Sequence, residues 1–221
     1  MEKSFKKILN GYELFRNKYA SGDASILRYL SYFGQEPEVM VVACCDSRVD
    51  PALILQCEPG DLFVVRNVAN IIPPYEKDSG HHGTSAALEF GINFLKVKHL
   101  ILFGHSQCGG IQALLTNKNN LNSEESEPQN DFIDNWVSII KKYPRSKPTD
   151  PDQINQKPSP KEIDDCAKLA LNESYQNCLE FPWIKEKIKK GKLIIHRWFF
   201  EIETGQIFTY SDSQKSYEVL S

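Results

Sequence analysis

No run of apolar residues in this chain is longer than the seven at 39–45, far short of the roughly 20 that a membrane-spanning helix needs. The lysines at positions 3, 6 and 7 are not followed by an apolar stretch, so no secretory leader is expected and the cytoplasm is the expected location. An excess of basic charge is also missing. Lys and Arg number 26 against 29 Asp and Glu, giving a net charge of −3 and a pI near 6.0, which argues against nucleic acid or an anionic membrane as partner. There is no internal repeat and no Cys-x-x-Cys pair. The six cysteines, at 44, 45, 57, 108, 166 and 178, do not suggest a disulfide framework in a chain of this length without a leader. A redox role is set aside on the same ground, because the adjacent Cys44 and Cys45 would form only a strained disulfide. The open question is which cysteines fill the core and which hold a metal.

Apolar residues make up 41% and charged residues 25%, enough for a core and a solvated surface. The length suits a single domain over 1–221, read as an N-terminal helical arm at 1–35 and an α/β core at 36–221. In the arm, Phe5, Ile8, Leu9, Tyr12 and Phe15 recur at helical spacing, predicting an amphipathic helix over 2–20 that packs on the surface or embraces a second subunit. Three short apolar runs, 38–44, 61–66 and 99–104, read as strands buried on both faces. Between the last two, Ala87, Leu88, Gly91, Phe94 and Leu95 form one stripe of a helix over 84–97. Buried strand, helix, buried strand is the pattern of a parallel sheet. Polar stretches at 116–130 and 147–160 read as exposed connections, framing a helix near 131–143 and preceding another at 161–179. Residues 191–200 and 207–210 read as a hairpin. The expected fold is α/β: a central, mostly parallel β-sheet flanked by helices, with the N-terminal arm and a C-terminal hairpin at one edge.

Functional residues of such sheets gather past the carboxyl ends of the strands, and two clusters fall there. Residues 43–50 (Ala-Cys-Cys-Asp-Ser-Arg-Val-Asp) follow the first run, and 104–110 (Gly-His-Ser-Gln-Cys-Gly-Gly) follow the third. Cys44, His105 and Cys108 would offer two thiolates and an imidazole, donors that suit zinc, and three protein ligands leave a fourth position open. Asp46 and Arg48, two residues apart, are either a surface ion pair of little consequence or, at a strand end, a buried charge-assisted pair.

Cys-x-Asp-Ser-Arg followed by His-x-x-Cys-Gly-Gly resembles the β-class carbonic anhydrases, most closely their plant-like, non-allosteric branch. The resemblance covers most of the chain, taking in the run from Pro59 to Asn70, the Pro73-Pro74-Tyr75 loop, the stretch from Gly83 to Phe90 and the terminal His-x-Trp-x-Phe-x-Ile-x-Thr-Gly. It implies zinc-dependent, reversible hydration of carbon dioxide to bicarbonate and a proton, with zinc-bound hydroxide attacking carbon dioxide and an Asp-Arg dyad orienting it. It implies one zinc per subunit on Cys44, His105 and Cys108, with Asp46 and Arg48 catalytic and Asp46 on the metal only in a closed, inactive state. The family's zinc cysteine stands two residues before the aspartate, which selects Cys44 over Cys45; alternation along an extended segment agrees. Gln35, Phe63, Val68, Phe90 and Gly109 match positions that bind substrate, with Phe90 where the family carries a tyrosine. Val41 stands where an allosteric branch has tryptophan. Two thiolates neutralise the dication, so activity should rise toward alkaline pH. His81 and His82 are candidate proton relays; His99, His196, Cys57, Cys166 and Cys178 are read as structural. A homodimer or homotetramer is implied. The rival readings are a non-catalytic zinc scaffold or carbon dioxide sensor, and a carbon disulfide or carbonyl sulfide hydrolase on the same site.

Overall fold

The computed structural model describes residues 3–22, 24–120, 132–140 and 157–220. Its frame is a six-stranded sheet of β1 (Val39–Cys44), β2 (Leu62–Asn67), β3 (His99–His105), β4 (Ile194–Phe200), β5 (Ile207–Ser211) and β6 (Ser216–Val219), in the order β2-β1-β3-β4-β5-β6. The first four lie parallel, and β5 and β6 add antiparallel at one edge. Two of the three apolar runs, as β1 and β3, become buried inner strands of the parallel sheet, as their composition requires. The run at 61–66 instead becomes the edge strand β2, only partly buried, because no strand among the described residues pairs with its outer side. Met40–Ala43 of β1 and Leu100–Phe103 of β3 are almost entirely buried. Each of these side chains larger than alanine contributes about 1.5–3 kcal/mol of burial, which makes the pair a firm platform for the loops that follow it. The expected hairpin exists, and β6 extends it by a strand that the sequence did not signal.

The helices are α1 (Lys3–Tyr19), α2 (Ile26–Phe33), α3 (Pro51–Ile54), α4 (Gly83–Glu89), α5 (Gly109–Asn120), α6 (Ile133–Val137), α7 (Pro160–Glu180) and α8 (Pro182–Lys189). Ser159 and Glu162 form a reciprocal capping box that starts α7, with Pro160 in its first turn. One face of α7, including Ile163, Ala167, Leu171 and Cys178, is buried. It lies so close to β3 that a Cβ on Gly104 would stand 2.8 Å from Leu171 Cδ1. Neither α1 nor α2 buries any residue, although α1 carries Phe5, Ile8, Leu9, Tyr12 and Phe15 as anticipated.

Three expectations need correction. The helix over 84–97 gives way after Glu89 to a π-helical turn, Phe90–Phe94. The wider turn shifts the periodicity, so Ile92 is buried while Phe94, placed on the stripe by a 3.6-residue period, is 69% exposed. The polar stretch from Thr116 is not all connection, because α5 runs through it to Asn120; lack of apolar residues removes a core face without ending a helix. Within the arm, α2 is a second helix, capped by Ser25, whose hydroxyl accepts from Arg28 N–H. Of the helix expected near 131–143, α6 is the described part. Residues 121–131 and 141–156, on which the two polar connections largely fall, lie outside the described residues.

Candidate active site

Parallel pairing sets Ala43 beside Phe103, so the loops after β1 and β3 leave the same edge side by side. Cys44 ends β1, His105 ends β3, and Cys108 directly precedes α5. Their donor atoms all lie within 4.8 Å of one another and all three residues are buried. The two sulfurs are 3.9 Å apart, close to the roughly 3.8 Å that two thiolates take on a tetrahedral zinc with Zn–S of about 2.3 Å. His105 Nδ1 donates to the Ser106 carbonyl at 2.8 Å, which leaves Nε2 as the basic nitrogen. That Nε2 is buried and has no hydrogen-bond partner. A buried lone pair without a donor is costly, and a metal ion facing two sulfurs satisfies it. The residues fit zinc.

The two sulfurs hydrogen-bond each other, and that bond, with help from His105 and the Asp46 backbone, lowers the pKa of the Cys44 thiol against the opposing effect of burial. Cys108 is pushed well above the usual thiol range by that same hydrogen bond and by burial. Cys45, one residue on, points out and is exposed. The geometry agrees with the alternation argument in that Cys44, and not Cys45, stands with His105 and Cys108.

Beside the donors, Arg48 grips Asp46 with both arms of its fork: Nε to Oδ1 at 2.9 Å and Nη2 to Oδ2 at 2.7 Å. The Arg48 N–H adds a third bond to Oδ1 at 2.9 Å. These bonds, the side-chain ones foremost, hold the Asp46 carboxyl far below the ordinary carboxylate range. Asp46 Oδ2 lies 4.0 Å from His105 Nε2, so the carboxylate faces the donor cluster. The pair is not wholly buried: the Asp46 side chain is 15% exposed and that of Arg48 49%. The strand end covers the carboxylate and leaves the guanidinium at the rim.

Arg66, quoted in the sequence motif without a role, builds this loop. Its Nε donates to the Cys44 carbonyl at 2.8 Å, Nη2 to the Asp46 carbonyl at 2.7 Å, and Nη1 to Asp50 Oδ2 at 2.9 Å. Asp50 in turn caps α3 through Leu53 N–H. A charged residue inside the apolar run of β2 was the signal available. The second loop is tied to β4 by Ser106, whose N–H bonds Phe200 O and whose hydroxyl accepts from Ile202 N–H. Trp136, which stands in none of the sequence motifs, donates its indole N–H to the Val68 carbonyl at 2.8 Å.

The positions matched to substrate binding fall into two groups. Val68 opens the 3-10 turn after β2 and Gly109 is the exposed first residue of α5, both at the edge that carries the donors. Phe63 pairs in register with Met40, four residues upstream of the Asn67–Cys44 pair, about 13 Å along the strand. Its ring packs on Phe90 at 5.8 Å between centroids. Gln35 is exposed and precedes β1, more than about 17 Å of strand from Cys44. A single chain does not bring Gln35, Phe63 or Phe90 to the donors. Elsewhere, His81 is exposed and His82 contacts Asp78 at 2.6 Å. His99 and His196 bond each other at 3.1 Å between strands. Cys166 and Cys178 are buried on α7 and Cys57 is half-buried.

A family model described as carbonic anhydrase matches residues 39–207. The chain is 40% identical over 166 residues to beta carbonic anhydrase 5, chloroplastic, of Arabidopsis thaliana, covering 75% of this chain and 52% of that protein. To a carbonic anhydrase of Synechocystis it is 34% identical over 210 residues, covering 93% and 70%. It therefore spans about half the length of the first relative and more of the second. Among solved structures, the β-carbonic anhydrase CcaA superposes with a TM-score of 0.79 at 28% identity, covering 99% of this chain and 100% of that one. One of two tetrameric β-carbonic anhydrases from Sordaria macrospora gives 0.73 at 27%, covering 94% and 97%.

Proposed function

The chain belongs to the β-class carbonic anhydrase family, and on that premise we propose that it catalyses the reversible hydration of carbon dioxide to bicarbonate and a proton. The observation that carries this reading is the buried Cys44, His105 and Cys108 triad with the Asp46 carboxylate held 4.0 Å from His105 Nε2. One zinc ion per subunit, held by those three residues, would supply Lewis acidity that turns water into a hydroxide nucleophile.

The chain's own residues do the rest. Asp46, ionised throughout the working range, accepts a hydrogen bond from the nucleophile and so aims its lone pair at the substrate carbon. Arg48 occupies both carboxylate oxygens, so Asp46 orients the nucleophile and does not itself become a ligand. Val68 and Gly109 line the pocket from the donor edge. Gln35, Phe63 and Phe90 bind substrate from a second copy of the chain, since each lies too far from the donors of its own copy. A homodimer or homotetramer is thus the working form, with the unburied apolar side chains of α1 against the partner; the tetrameric relatives support this. Buried Val41, three residues before Cys44, supports the non-allosteric branch. Six free cysteines support a reducing compartment, the cytoplasm.

Stopped-flow hydration with a pH indicator tests the reading on zinc-loaded protein at about pH 9, roughly two units above the ~7 of water on a three-histidine zinc site. Catalysis well above the buffer rate is expected. A zinc-loaded chain without it is a scaffold or sensor, and a faster rate on carbon disulfide or carbonyl sulfide makes it a hydrolase of those.

A further inference from the structure

Arg48 has a second anchor. The Nη2 that holds Asp46 Oδ2 also donates to the Gln107 carbonyl at 3.1 Å. Gln107 lies between His105 and Cys108 and has φ +54°, in the left-handed region that residues with a Cβ avoid. What holds it there comes from α7. Asp164 Oδ1 accepts from the Gln107 backbone N–H at 2.7 Å and from Gln107 Nε2 at 3.1 Å, while Nε2 also reaches the Pro160 carbonyl at 3.1 Å. One carboxylate oxygen therefore fixes both the main chain and the side chain of Gln107. The Gln107 carbonyl then falls where Arg48 reaches it. The anchor is firm because Pro160 and the Ser159–Glu162 capping box fix the start of α7. The next residue, Asp165, turns instead to Lys161 on the exposed face.

We propose that Asp164 is a positioning residue for the Asp46–Arg48 pair, acting through the Gln107 peptide. By keeping Gln107 left-handed it presents a carbonyl to the guanidinium, and the twice-anchored guanidinium holds Asp46 in its orienting pose. The activity readout below rests on the proposed hydration function; the hydrogen-exchange readout does not.

The experiment compares zinc-loaded wild type, Asp164→Ala, the double variant Asp164→Ala with Gln107→Gly, and Asp165→Ala as control. Exchange of the Arg48 Nε–H is followed by nitrogen-15 NMR, its signal assigned by loss in Arg48→Lys. Asp164→Ala is expected to speed that exchange about tenfold, the effect of one lost hydrogen bond, and Asp165→Ala to leave it unchanged. Glycine adopts the left-handed conformation unaided, so Gln107→Gly should restore much of the protection. In turnover, Asp164→Ala should lower kcat about tenfold with KM within about twofold, and should cost nothing further in an Arg48→Ala background. Should Asp164→Ala fail to fold, Asp164→Asn carries the same comparison with about a threefold effect, since both bonds to Gln107 lose their charge assistance. Unchanged Arg48 exchange, no recovery with glycine, or an equal loss of kcat without Arg48 would each overturn the proposal and leave Asp164 as a tie between α7 and the loop. A wild type inactive in hydration but with the expected exchange pattern would sink the functional reading and spare this one.

Discussion

Cys44 and Cys108 stand 3.9 Å apart, sulfur to sulfur, across 64 residues of chain. Two parallel strands pairing in register bring them there, and Met40–Ala43 and Leu100–Phe103 of those strands are almost entirely buried. The donor triad is therefore only as well placed as the β1–β3 pairing, and each loop has its own brace.

Removal of either sulfur should empty the site. Cys44→Ser and Cys108→Ser are each expected to lose zinc and hydration activity together, read by metal analysis and stopped flow on the same samples. Cys45→Ser, one residue away but exposed, should keep both.

Asp46→Asn separates metal binding from turnover. Zinc should stay at the wild-type level, because the three donors remain, while kcat falls about 100-fold or more, the usual scale for a misplaced proton acceptor. Full activity in this variant would take Asp46 out of the mechanism.

Arg66 makes three bonds to three residues of the first loop. A lysine has one charge centre and cannot reproduce that planar fork. Arg66→Lys is expected to destabilise the protein by about 1–3 kcal/mol, read by denaturant unfolding, and to weaken zinc retention in competition with a chelator.

Two neighbouring glycines should behave differently. A Cβ at Gly110 would meet Val68 Cγ1 at 2.6 Å and Ala69 Cβ at 3.1 Å, so Gly110→Ala should cost about 1–3 kcal/mol by overpacking. At Gly109 nothing lies within 4 Å. Gly109→Ala should leave stability within about 0.5 kcal/mol and lower kcat/KM if the residue lines the substrate pocket.

The pH dependence of folding is expected to involve His196. Burial, with the neighbouring His99 adding to it, lowers its pKa; His99 Nδ1 at 3.1 Å and the Trp198 ring are the groups around it. The unfolded chain then binds the proton more readily, so the contribution of His196 is complete above about pH 6.5 and is lost as pH falls through its lower folded value. Between about pH 6.5 and 5 the melting temperature of the wild type should fall more steeply than that of His196→Gln. Parallel curves would remove His196 from the acid response.

The strands β1, β2 and β3 and the donor triad were legible because their signals are local: unbroken apolar runs, and short motifs at the strand ends. What escaped depended on partners distant in sequence or on a change of period. Arg66 reads as one polar residue in a strand until the carbonyls of Cys44 and Asp46 surround it. Trp136 gains its role only from Val68, 68 positions earlier. The π turn at Phe90–Phe94 preserves composition while breaking the 3.6-residue stripe, and α5 enters a polar stretch where periodicity carries no information. The separation of Gln35, Phe63 and Phe90 from Val68 and Gly109 follows from strand register, which no motif records.

The most direct test adds zinc stepwise to the metal-free chain and follows bound metal and carbon dioxide hydration in the same sample. The expected result is a rate that climbs in proportion to bound zinc and levels off at one ion per subunit. One ion bound to the wild-type chain, with hydration still at the buffer rate at about pH 9, two units above the ~7 of a three-histidine zinc water, would contradict it.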